Sequence, residues 1–86
     1  MIKGTIGYDR DIRRYVIYGN DGRERELHCG DYFEVWLGLG TASAWIGTTI
    51  EMMHNNGVGE WYLTVKGLDI KAMIGCEAKY GDEDEQ

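Results

Sequence analysis

The sequence predicts an all-β fold: a small, partly open SH3-like barrel of five or six short antiparallel strands, with one 3₁₀ or helical turn before the last strand. Three observations favour it. Apolar residues alternate along the chain, as in strands, rather than recurring every third or fourth position. Thirteen glycines and no proline indicate many tight turns. In a chain of 86 residues, a sheet that curls on itself leaves few exposed edges. A five-stranded OB-type barrel is the alternative, although that fold usually has longer strands and a helix in mid-chain.

The first half of the chain predicts a hairpin followed by a short extended piece. Thr5–Tyr8 and Arg13–Tyr18 are rich in β-forming residues and are joined by a charged turn, Asp9–Asp11. Gly19–Gly22 reads Gly-Asn-Asp-Gly, and these residues tolerate the positive φ of a tight turn. Arg25–Leu27 is then a short extended piece.

The middle of the chain predicts a second hairpin with one apolar and one polar face. Its first strand is Tyr32–Leu37, in which Phe33, Val35 and Leu37 share the core face. Its second strand is Trp45–Met53, and we expect the glycine-rich segment between them, Gly38–Ser43, to be a flexible loop.

The remaining chain predicts two more strands. Asn-Gly within the turn His54–Gly57 is a strong hairpin signal, and the strand Glu60–Val65 follows it. Residues Gly67–Ile74 do not alternate, so we expect a single 3₁₀ or helical turn there. The last strand is placed at Gly75–Tyr80.

Length and charge bound the domain and its partners. The chain forms one domain, which we place at residues 1–81, followed by an acidic disordered tail at 82–86. The net charge is −6, and four of the fifteen acidic residues lie in that tail, so the folded body is close to neutral. Nucleic-acid-binding domains usually carry a basic net charge or a basic stripe, and this sequence does not favour that class.

The sequence contains no apolar segment typical of a signal peptide or a membrane-spanning helix. We therefore expect a cytoplasmic protein without a membrane partner. Its two cysteines, Cys29 and Cys76, are too few for a small disulfide-stapled domain, so both are expected to be reduced thiols.

The chemistry-bearing residues do not form a catalytic or metal-binding pattern. His28 and Cys29 are adjacent, and adjacent side chains on an extended segment point to opposite faces, so they cannot easily form a nucleophile–base pair. Cys29 is expected to be a small buried residue, and Gly30-Asp31 to shape a tight turn. Cys29 and Cys76 lack the close spacing of a zinc site. We expect neither an enzyme nor a bound cofactor or metal.

The solvent face of the central hairpin is the predicted binding surface. Two tryptophans on a solvent face are unusual, and an exposed aromatic patch rimmed by charge often marks an interaction site. A homodimer interface and a structural cover over the indoles are the alternatives. The predicted protein-binding residues are Tyr32, Glu34, Trp36, Trp45, Thr49 and Glu51. With acids beside the indoles, the expected partner is a protein with a basic surface.

All five arginines fall in one short stretch and support a second hypothesis, a nucleic-acid-binding accessory module. They could contact phosphates while exposed aromatic rings stack on bases. A solvated, salt-bridged surface is the alternative interpretation. The candidate phosphate-binding residues are Arg10, Arg13, Arg14, Arg23 and Arg25.

The run Leu27-His28-Cys29-Gly30-Asp31, followed by Phe33-Glu34-Val35, resembles a family of small uncharacterised bacterial domains. Shorter matching pieces extend this resemblance over nearly the whole chain. The family is common in Gram-positive bacteria and their mobile elements, and it has no established activity. The resemblance therefore implies a fold and a habitat. Together with size and charge, that habitat leads us to expect a non-enzymatic protein-binding module encoded by a phage or mobile element, such as an inhibitor of a CRISPR-type defence nuclease.

Overall fold

This computed structural model describes residues 1–39 and 41–81, and within them the chain forms seven strands and one 3₁₀ helix. The all-β class and the single 3₁₀ turn before the last strand are confirmed. The number of strands exceeds the five or six predicted, because the short piece at residues 24–26 pairs as a strand of its own. The elements are β1 (Ile2–Asp9), β2 (Arg14–Gly19), β3 (Glu24–Glu26), β4 (Tyr32–Leu39), β5 (Ala42–Asn55), β6 (Val58–Leu63), the 3₁₀ helix (Ile70–Met73) and β7 (Glu77–Tyr80).

The strands form one open antiparallel sheet in the order β3-β2-β1-β7-β4-β5-β6. The long strand β5 pairs with β4 over its first half and with β6 over its second half. The sheet curls far enough to bring β6 to the turn between β1 and β2, where the indole Nε1 of Trp61 donates a hydrogen bond of 3.2 Å to the carbonyl oxygen of Arg13. Among the strands of the described residues, β3 and β6 are the two edges.

The β5–β6 hairpin confirms the Asn-Gly turn signal. Asn55 pairs with Val58, and the two residues between them, Asn56 and Gly57, have φ values of 53° and 81°. Two consecutive residues with positive φ are typical of a type I′ turn, whose twist matches that of the flanking strands. This turn fixes the register of β6 against β5.

The loop predicted at Gly38–Ser43 is wrong in its extent. Gly38 pairs with Ser43 and Leu39 with Ala42, so both strands continue through most of that segment. Small residues in the segment suggested a loop, but they do not prevent the backbone from forming a ladder when the flanking strands are already paired.

The core lies on the concave face of the sheet. Phe33 and Val35 are buried there, whereas their neighbours Glu34 and Trp36 are not, as the alternation predicted. The buried apolar side chains come from most of the elements: Ile6, Tyr15, Ile17, Leu27, Phe33, Val35, Ile50, Leu63, Ile70, Met73 and Ala78.

One polar side chain, that of Thr48, is buried among the described residues. Its Oγ1 donates a hydrogen bond to the carbonyl oxygen of Thr49 and accepts one from the backbone N–H of Val65, at 3.1 and 3.2 Å. The hydroxyl therefore joins the segment after β6 to β5 by hydrogen bonds.

The predicted tail at residues 82–86 lies outside the described residues. The described helix is too short to cross a membrane.

Candidate functional site

The two central-hairpin tryptophans lie directly opposite each other on the convex face. Trp36 of β4 pairs with Trp45 of β5, and their rings meet edge to face with centres 5.2 Å apart and planes at 60°. The side chain of Trp36 is 37% exposed and that of Trp45 is half-buried. The sheet thus presents an aromatic pair to solvent, and we call it the Trp pair.

The charges beside the Trp pair differ from those expected. The ammonium of Lys79 lies 4.4 Å from the centre of the Trp45 ring and that of Lys3 lies 5.5 Å away, both within range of a cation–π contact. The Oε1 atom of Glu34 lies 3.9 Å from the Nζ atom of Lys79 and partly neutralises the charge of that ammonium. These cations lie near Trp45 because β7 pairs with β1 on one side and with β4 on the other. Lys79 of β7 therefore lies between Lys3 of β1 and Glu34 of β4.

The other predicted contact residues divide into two groups. Tyr32 is the most exposed aromatic of this face, at 57%, and its ring covers Gly47, next to the Trp pair. The hydroxyl of Thr49 instead lies 2.8 Å from that of Thr64, the residue that follows β6. Glu51 lies opposite Tyr62. Since it stands six positions beyond Trp45 on one strand, about 20 Å away, it does not flank the Trp pair.

Two of the arginines proposed for phosphate binding are engaged in the fold. Arg14 donates a 3.0 Å hydrogen bond to the carbonyl oxygen of Leu27, and its guanidinium lies 5.3 Å from the ring centre of Trp61. Arg25 donates a 2.7 Å hydrogen bond to the hydroxyl of Tyr80 and stacks over that ring.

The remaining three arginines do not complete a basic stripe. Arg23 forms an ion pair with Asp21. The pKa of the Asp21 carboxyl is lowered, chiefly by a hydrogen bond from the Arg23 backbone N–H and next by one from its side chain. Arg10 and Arg13 lie in the turn after β1 and make no side-chain ion pair within the described residues. Two of the five arginines, both in this turn, therefore have no ion pair within residues 1–39 and 41–81.

Cys29 is exposed, which contradicts the prediction that it is buried. It occupies a turn whose ends are joined by a 3.0 Å hydrogen bond from the N–H of Asp31 to the carbonyl oxygen of His28. Gly30 has φ of 86°, and the Asp31 carboxylate accepts a 2.8 Å hydrogen bond from the N–H of His28, as predicted for a tight turn. Such a turn holds its second residue outward, and this explains the exposure of the thiol.

No group of three or more His, Cys, Asp or Glu side chains within residues 1–39 and 41–81 is arranged to hold a metal ion.

The structure also reveals a cleft that the sequence analysis did not identify. It has a volume of about 840 Å³ and lies at the seam where the sheet fails to close, between the β1–β2 hairpin, β6 and the 3₁₀ helix. Tyr8 and Tyr15 meet edge to face on one wall, with ring centres 4.8 Å apart. Burial raises the pKa of Tyr15, and neighbouring Tyr8 and Asp69 raise it further. The opposite wall is β6, with Trp61 and Tyr62.

No pattern in the sequence joins these cleft residues, since they come from three separate segments. The only available signal was the surplus of aromatic residues at strand positions.

The chain matches the model of one protein family. Neither a curated protein nor a solved structure matches the chain. The model of a domain of unknown function, DUF5348, matches residues 4–80, from the middle of β1 to the end of β7. Because that match covers nearly the whole chain, the protein belongs to the DUF5348 family.

Proposed function

We propose that the protein is a non-enzymatic protein-binding module that contacts its partner through the Trp pair. The single observation that carries this proposal is the exposure of Trp36 and its edge-to-face contact with Trp45 on the convex face. Tryptophan is enriched among the residues that dominate binding energy in protein interfaces, because it buries a large area at a small cost in conformational entropy.

The position of the Trp pair supports a binding role over a role in stability. The core lies on the opposite face of the sheet and is filled without these indoles. Tyr32 extends the aromatic surface along the same two strands. A partner that covers this surface removes apolar area from water in both molecules.

The surrounding charge narrows the chemistry of the partner. Lys3 and Lys79 lie beside Trp45, and Glu34 offsets one of them. A basic surface would meet these cations at close range, whereas an apolar surface that carries a carboxylate would complement them. The contact geometry therefore does not favour the basic channel of a defence nuclease, and we propose an apolar partner surface with at least one acidic residue.

Affinity capture followed by measurement on the purified partner tests the proposal. The tagged protein is used to capture partners from a lysate of its source organism, and each candidate is then titrated against three purified variants. Trp36→Ala removes half of the Trp pair. Tyr8→Ala is the matched control, because Tyr8 is 38% exposed and also sits edge to face on a neighbouring ring, but lies in the cleft. Lys79→Glu reverses the charge next to Trp45.

We expect Trp36→Ala to raise the dissociation constant about tenfold or more, as for an interface hot spot. Lys79→Glu should weaken binding, and Tyr8→Ala should change it less than about twofold. A partner that binds Trp36→Ala as tightly as wild type would overturn the proposal. Loss of binding on Tyr8→Ala alone would do the same and would assign that partner to the cleft.

A further inference from the structure

The two edges of the sheet are protected very differently. β3 is three residues long and reads Glu-Arg-Glu, and short charged edges discourage pairing with another strand. β6 is six residues long and reads Val-Gly-Glu-Trp-Tyr-Leu. Its residues Val58 and Tyr62 are 61% and 39% exposed. An edge of this length and composition can pair with an additional strand.

The hairpin register shows which backbone groups of β6 are free. In a two-residue hairpin the residues that flank the turn exchange hydrogen bonds, and bonded and non-bonded pairs then alternate. Asn55 and Val58 flank the turn, so Gly59 and Trp61 fall at positions whose N–H and C=O point away from β5. The same alternation predicts the bond observed farther along, from the N–H of Thr64 to the carbonyl oxygen of Thr49, at 3.0 Å.

The free edge of β6 borders the aromatic cleft. Gly59 and Trp61 both line it, so their outward backbone groups lie beside a volume of about 840 Å³. Across the cleft stand the rings of Tyr8 and Tyr15 and the exposed side chain of Ile74. An extended chain beside β6 would gain main-chain hydrogen bonds from the edge and apolar contacts from the facing wall.

The charges around the cleft indicate which extended chain fits. Arg10 and Lys71 line it, and neither makes a side-chain ion pair within the described residues. Asp69 also lines it, but its carboxylate caps the 3₁₀ helix by accepting a 3.0 Å hydrogen bond from the N–H of Lys71. Glu60 of β6 also lines it and makes no side-chain ion pair within the described residues. The cleft is therefore bordered by two cations and two carboxylates, and an extended segment that carries both an acidic and a basic residue complements it.

We propose that this cleft binds an extended peptide segment of a partner protein, which adds as a strand to β6 and carries apolar side chains with at least one acidic and one basic residue. Strand addition takes affinity from the main-chain hydrogen bonds and specificity from the pockets that receive alternate side chains. The site is distinct from the Trp pair and does not rest on it.

Selection from a displayed library tests this inference. Random peptides of about seven residues, long enough to span β6, are selected on the wild-type protein, and the enriched peptides are synthesised and titrated. Amide hydrogen exchange is then measured residue by residue with and without peptide. In the free protein we expect fast exchange at Gly59 and Trp61 and slow exchange at Glu60 and Tyr62, because only the latter two donate to β5.

Bound peptide should slow exchange at Gly59 and Trp61 by about tenfold or more. Lys71→Glu should weaken binding by up to about fivefold, as expected for an exposed ion pair, while Lys66→Glu, outside the cleft, should change it little. Three results would overturn the inference: no peptide that binds below about 1 mM, binding without protection of Gly59 and Trp61, or a dimer of the free protein in which these two amides are already protected.

Discussion

The indole of Trp61 is the side chain that fastens β6 to the β1–β2 hairpin, and replacing it should loosen that seam. Trp61→Phe keeps an aromatic ring but removes the 3.2 Å hydrogen bond to the carbonyl oxygen of Arg13 and weakens the contact with the Arg14 guanidinium. One net hydrogen bond and part of a cation–π contact are together worth about 1 to 2 kcal/mol. For a domain of this size, that loss lowers Tm by about 4 to 16 °C.

Thermal and urea unfolding measure the loss, and amide exchange locates it. The control is Trp36→Phe, because the Trp36 indole donates no side-chain hydrogen bond within the described residues, and we expect it to cost less than about 0.5 kcal/mol. In Trp61→Phe, amide exchange at Glu60 and Tyr62 should accelerate by a larger factor than exchange in β1 and β2, since β6 pairs with a described strand on one side only. A Tm within about 2 °C of wild type would refute the claim that this indole closes the seam.

Three further substitutions test the turn, the cleft and the core. Gly57→Ala places a side chain at φ of 81° and should lower the free energy of unfolding, measured with urea, by about 1 kcal/mol or more. An unchanged urea midpoint would argue against the positive φ. Burial raises the pKa of Tyr15 above 10.0, so its contribution to stability is present below pH 10 and lost as the pH rises through the folded-state pKa. Tyr15→Phe should therefore flatten the fall of Tm above pH 10, and an alkaline profile equal to that of wild type would show that this phenol is not responsible. Phe33→Ala empties a site that is 1% exposed and should cost about 3 to 5 kcal/mol, and a loss below about 1 kcal/mol would place that ring outside the core.

Local sequence signals predicted the strands and their faces because those signals act over a few residues. Alternation placed Phe33 and Val35 in the core and Trp36 outside it, as the structure confirms. The Asn56-Gly57 pair specified its turn because few other residues accept two positive φ angles in succession. The exposure of Cys29 was not predicted, because the turn at Gly30-Asp31 overrides the general preference of free cysteine for burial.

The surroundings of the Trp pair could not be predicted, because they depend on long-range strand order. Sequence alternation placed Trp36 and Trp45 on one face, but it contained no information that β7 inserts between β1 and β4. That insertion brings Lys79 to Trp45 and changes the charge next to the indoles from acidic to mixed. The cleft was missed for the same reason, since its walls are joined by curling of the whole sheet.

The open seam explains why the cleft and the free edge occur together. The curling sheet leaves β3 and β6 unpaired on their outer sides. The 3₁₀ helix covers one end of the seam, and its residues Ile70 and Met73 are buried in the core there. At the turn end, Trp61 bridges to Arg13 with one hydrogen bond, and the backbone of Gly59 beside it borders the cleft. A ligand that pairs with this edge would complete the closure that the chain itself does not make, and its binding should therefore raise the stability of β6 more than that of the strands already paired on both sides.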